Sequence, residues 1–201
     1  MNFILRYLFQ KHIEPEREAY FLGGYASKWG FDLFKDKNFR EKIEFEKQNQ
    51  TEQDRIFNEL VVTALVYVLV FIDDKLDQQQ LKESRYHFWR NVLDSIAPMY
   101  LIRLSNYKIP QEFINTWEKL IDLRLTEFYE RRQEAYQVWD EDGPDEPNEL
   151  KKDTWIGLEA LRISSMLHLT RGKAEPDHPL KNILRTWLIG YHNKLAKRIG
   201  W

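Results

Sequence analysis

The 201-residue chain contains no cysteine. That excludes disulfides, zinc ribbons, iron–sulfur clusters and thiol nucleophiles, and it fits a reducing compartment, so a cytoplasmic location is expected. Eight glycines and seven prolines are too few for a fibrous repeat or a low-complexity chain. Charge of one sign is also lacking. Thirty basic residues face 32 acidic ones, for a net charge of −2, so bulk attraction to nucleic acid is not expected. Phosphate loops of the GxxxxGK[ST] or GxGxxG type are missing, as are HExxH, GxSxG and the paired Glu-x-x-His of di-iron bundles. No strand pair with a hairpin turn and no fixed-period repeat is present.

What remains is 43% apolar, 14% aromatic and 31% charged, the composition of a globular protein. The longest apolar run is Leu60 to Ile72, LVVTALVYVLVFI, closed by Glu59 and Asp73. As a helix it spans about 20 Å, short of the ~30 Å hydrocarbon layer, so no transmembrane segment is expected. A run apolar on every face belongs at the centre of a bundle. The first residues, MNFILRYLFQKH, read as a short amphipathic helix over 3–12 that packs on the core, with a peripheral membrane contact through Phe3, Ile4, Tyr7, Leu8 and Phe9 as the other reading.

Helix signals follow along the chain. Pro15, Glu16 and Glu18 suit a helix start, and Gly30 is read as the stop of that helix. Gly23 and Gly24 inside it suggest a kink or a close helix–helix approach. Asp36 can cap a helix carrying Phe39 and Ile43. The central helix is predicted over 52–79 with Thr51 as its cap. A further helix covers 82–97, ended or kinked by Pro98, with 98–106 resuming. The longest runs over 110–139. The segment from Asp140 to Glu149 has six carboxylates and two prolines and reads as a solvated loop. Asn148 opens a helix to Arg171, stopped by Gly172, and Pro179 begins a basic last helix to Trp201. The prediction is an all-α, single-domain bundle of six to eight helices over 1–201, with the acidic loop at 140–149 as the one internal hinge.

Two constellations carry chemistry. Asp73, Asp74 and Asp77 form a DDxxD directly after the apolar helix, where three carboxylates share a helical face and could hold Mg²⁺ through oxygen. The motif resembles the first metal motif of class I terpene synthases and prenyl-diphosphate synthases, all-α enzymes whose aspartates hold Mg²⁺ that binds a diphosphate. The resemblance covers about Leu60 to Asp77. At the nearest place for the second metal motif, Asn193 is followed by Lys197 and Trp201 where that motif needs Ser or Thr and then Glu. The second constellation, Arg162-x5-His168, is similar to the Arg-x4–6-His pattern of HEPN-type helical ribonucleases, in which the two residues act on an RNA phosphodiester without metal. The same Arg-x4–6-His pattern also joins Arg6 to His12, Arg171 to His178 and Arg185 to His192.

Seven Trp, ten Tyr and twelve Phe are the strongest global feature. Most fall on helical stripes and read as core; Trp139, Trp155 and Trp201 flank loops or the terminus and are expected to be partly exposed. Exposed aromatics beside charges are typical of protein–protein contacts. The functional expectation is therefore a non-catalytic helical protein that acts through a protein partner or self-association and needs no cofactor. The competing expectations are an Mg²⁺-dependent diphosphate enzyme at Asp73, Asp74 and Asp77, or a ribonuclease at Arg162 and His168. Only the last helix, 179–201, offers a basic stretch to nucleic acid.

Overall fold

The order of elements follows from apolar periodicity interrupted by caps. The computed structural model describes residues 14–78, 81–142, 152–173 and 177–201, with backbone alone at 140–142. Among them are seven α-helices and no strand: α1 Pro15–Phe34, α2 Lys37–Lys42, α3 Gln50–Gln78, α4 Glu83–Asn106, α5 Gln111–Asp142, α6 Lys152–Leu169 and α7 Leu180–Ile199, with a 3-10 turn Phe45–Lys47 between α2 and α3. The chain is an all-α helical bundle, as its sequence predicts. The expected helix at 3–12 and most of the acidic loop at 140–149 lie outside the described residues.

The described chain divides into two compact units. One holds the described part of Met1–Ala26 together with Val68–Glu118; the other holds Ser27–Tyr67 and the described part of Lys119–Trp201. The unit boundaries fall inside α1, α3 and α5 rather than in a loop.

Helix α3 is the apolar centre. Every residue from Glu59 to Ile72 is buried, and Leu60, Val62, Ala64, Val66, Val68 and Ile72 are fully so. The helix begins two residues earlier than the sequence suggests, because Asn49 rather than Thr51 caps it: Asn49 Oδ1 accepts from the Glu52 amide at 3.0 Å. At 29 residues, α3 is long and apolar enough to cross a membrane by length and composition, but most of its apolar stretch is buried inside the protein. Its apolar faces meet protein, as a core helix requires.

One expected stop is overridden by packing, and at Pro98 the helix goes on rather than ending. Gly30 does not end α1; the helix runs on to Phe34. The glycine sits where α1 crosses α3, and a Cβ there would lie 3.0 Å from the Val61 amide and 3.1 Å from the Leu60 carbonyl. The close approach is what requires glycine here. Pro98 lies inside α4, which continues through it from Glu83 to Asn106. Other punctuation acts as read. Asp36 Oδ1 accepts from the Phe39 amide at 2.8 Å, and Phe39 is fully buried. Gly172 takes φ 71° after α6 and Gly200 takes φ 82° after α7, the left-handed geometry of a helix end.

Candidate functional site

Charged side chains in the second unit are gathered into two networks on different faces of α6. Arg162 and His168 are six residues apart, about 120° from each other around the helix, so they face different neighbours. Arg162 lies three residues from Glu159, and its Nη2 approaches Glu159 Oε1 at 2.7 Å. Arg185 of α7 reaches the same carboxylate at 3.0 Å and lies over the Trp155 ring. His168 turns to α5, where its Nε2 meets Glu127 Oε2 at 2.8 Å. Ser164, one turn earlier, donates to the same oxygen at 3.3 Å. Arg124 approaches Glu127 at 3.1 Å and forks onto Glu59 of α3 at 2.9 Å. The two residues of the Arg-x5-His pattern are thus not brought together.

The shared hydrogen-bond geometry says what the His168 cluster can do. Ser164 and His168 both address Glu127 rather than each other, so the nucleophile–base hydrogen bond of a hydrolytic triad is not formed. The cluster instead links three helices: Glu59 of α3, Arg124 and Glu127 of α5, and Ser164 and His168 of α6. Two further bonds add to it. Thr63 and Ser165 hydroxyls meet at 2.8 Å, and Arg55 of α3 donates to the His168 carbonyl at 2.5 Å, at the C-terminal end of α6. A shallow cleft of about 180 Å³ lies beside these residues, lined by Arg131, Glu134, Ile163, Leu167, Thr170 and Gly172. It falls below the several hundred Å³ of ordinary ligand pockets.

Glu159 is 2% exposed. Burial pushes its carboxyl upward, but the hydrogen bonds and charges of Arg162 and Arg185 outweigh that and hold the group below the ordinary carboxylate value. A depressed carboxylate stabilises the fold above its unfolded pKa, and the stabilisation is lost as pH falls through the folded value. Glu159→Gln is therefore expected to lower stability at pH 7. Between pH 5 and pH 3 it should lose less than the wild type loses, as urea midpoints at the two pH values would read.

Asp73, Asp74 and Asp77 lie in the last turns of α3, within the first unit. Asp73 is 3.6 Å from Arg90 of α4, Asp74 is half-buried with a partner of its own, and Asp77 is exposed. No group of three or more His, Cys, Asp or Glu is placed to hold a metal ion among the described residues. Asp73→Asn combined with Asp77→Asn is expected to be neutral or slightly stabilising, because like charges leave an anion-disfavouring helix end. Magnesium is expected to raise the melting temperature of neither protein. A magnesium-dependent rise in the wild type that the double variant lacks would establish the metal site.

Of the three aromatics expected to be partly exposed, Trp139 and Trp201 are half-buried as expected and Trp155 is not. Trp155 is buried and stacks edge-on against Trp139 at 5.1 Å. In the first unit, by contrast, Phe21 is 46% exposed and Tyr107 64% exposed. A continuous strip joins them. Arg17 lies over Phe21 at 5.7 Å, Phe21 abuts Tyr20 at 6.4 Å, and Arg103 lies over Tyr20 at 4.9 Å and over Tyr107 at 5.9 Å. The strip runs from α1 to the end of α4; further along the chain Ile109 and Phe113 are also exposed. Its signal in the sequence is faint, since Tyr20 and Phe21 occupy two faces of one helix and only the fold shows which face remains open.

We found no family model, curated protein or solved structure that matches the chain.

Proposed function

We propose that the protein works through contact with another protein chain, either a partner or a second copy, and not through catalysis. The observation that carries this reading is the exposed Arg17–Phe21–Tyr20–Arg103–Tyr107 strip of the first unit. Tyr and Arg are the residues on which interface energy concentrates, and exposed aromatics flanked by guanidinium groups are the anatomy of such surfaces. The arrangement of Arg162 and His168 supports the same reading, because each is held by a carboxylate inside a network that joins helices. The cysteine-free composition fits a cytoplasmic setting.

The test is the native mass of the protein in extracts of cells that make it. The wild type should elute above its own 24.4 kDa, and Phe21→Ser with Tyr107→Ser should return it to the monomer mass while keeping its helical circular dichroism. A wild type that elutes as a monomer at physiological concentration would contradict the proposal.

A further inference from the structure

The strip is built around one cation that finds no hydrogen-bond acceptor among the described residues. Arg103 stands in the last turn of α4. Its guanidinium is laid on the backbone of α1 at Gly24, where a Cβ would fall 2.7 Å from Nη1 and 2.9 Å from Cζ. Gly23 beside it takes Tyr100 at ordinary van der Waals distance. The glycine pair therefore opens a seat on α1, and the Gly24 half of that seat is filled by a guanidinium rather than an apolar group. Tyr20 and Tyr107 form the walls.

Among the described residues, Arg103 makes no ion pair and no side-chain hydrogen bond; its contacts are the two rings. Arg17 likewise lies over Phe21 without a carboxylate partner. Two half-buried arginines of the second unit differ in this. Arg55 and Arg124 each meet a carboxylate in their own network. Arg103 presents five N–H donors in a fixed fork between aromatic faces, the geometry that matches a carboxylate bidentately.

We infer that this seat is a carboxylate anchor, and that the protein docked on the strip supplies an Asp or Glu set among apolar side chains. The inference rests on the protein-contact reading above and names the chemistry of the partner. Apolar neighbours of the acid cover Phe21 and Tyr107, and the acid itself takes the Arg103 fork. Water leaving the contact strengthens the charge-assisted bond.

The experiment is selection of a random twelve-residue peptide library against the full chain, followed by affinities for variants. Selected peptides are expected to carry Asp or Glu beside Leu, Phe or Trp. Arg103→Gln should weaken them about tenfold or more, and Arg103→Lys should restore only part, because an ammonium lacks the planar fork. Gly24→Ala displaces the guanidinium from its seat without removing it and should also weaken binding; it carries the comparison if Arg103→Gln proves poorly folded. Peptides that depend on Phe21 and Tyr107 but lack an acid, or ignore Arg103→Gln and Gly24→Ala, would overturn the anchor and leave the protein-contact reading standing. Failure to select any peptide that depends on Phe21 and Tyr107 would count against both. Binding to phosphatidylserine vesicles that Arg103→Gln abolishes would assign the strip to a membrane surface and overturn the anchor as well.

Discussion

Val66→Asp is expected to leave the protein unfolded at room temperature. Val66 is fully buried in α3, within an unbroken buried stretch from Glu59 to Ile72. A carboxylate placed there has no cation in its own helical surroundings, since the flanking residues Leu65 and Tyr67 and the turn-spaced Val62 and Val70 are apolar or aromatic. An unpaired buried carboxylate costs on the order of several kcal/mol, a large share of the 5–15 kcal/mol that holds a domain folded. Loss of the helical signal and of cooperative melting is the expected readout. A variant that melts within a degree or two of wild type would show that α3 is not the core.

Arg124→Met is expected to cost about 3–5 kcal/mol, more than most single substitutions. The reason is what it strands rather than what it removes. Glu59 is 3% exposed and receives Arg124 through both Nε and Nη2, at 3.2 and 2.9 Å. Without the guanidinium that carboxylate is left buried and unpaired, and Glu127 loses one of its donors. Replacing both partners, Glu59→Leu with Arg124→Met, should recover most of the loss, because a buried ion pair contributes little net stability over apolar residues of similar size. Urea denaturation of the two single variants and the double variant measures this directly. Additive losses in the double variant would mean the pair is not coupled.

These two variants also mark what can be read from the sequence and what cannot. Val66 is legible because a run with twelve apolar residues out of thirteen admits few alternatives, while the burial of α3 rather than its length is what separates core from membrane span. The Asp36 cap on α2 is legible for the same local reason: its amide partner lies three residues away. Glu59 is not legible, since a charge at the edge of an apolar run looks like an end, and the partner that makes it buried, Arg124, lies 65 residues on. Glu159 and Arg162 offer a better signal in retrospect. A carboxylate and an arginine three apart, inside the otherwise apolar stretch Trp155 to Ile163, announce an internal pair.

Gly30 and Gly24 show the limit of local punctuation. Both lie inside α1, where propensity alone argues against glycine. What each accommodates is on another helix: the α3 backbone at Leu60 and Val61 for Gly30, and the Arg103 guanidinium for Gly24. Likewise, the candidate chemistry at Arg162 and His168 is a pattern in sequence that helical geometry parts by about 120°. The surface that carries the proposed function is legible only once α1 and α4 are seen side by side.

The most direct measurement is site-specific photocrosslinking in living cells, with p-benzoylphenylalanine at position 107. Tyr107 is the most exposed aromatic of the strip and lies within 5.9 Å of the Arg103 guanidinium. A discrete protein adduct is predicted at position 107, absent when the same probe replaces exposed Asn91 of α4, and lost on adding Arg103→Gln. Equal labelling at 107 and 91, or no adduct at 107, would contradict the claim that this strip is where the protein meets its partner.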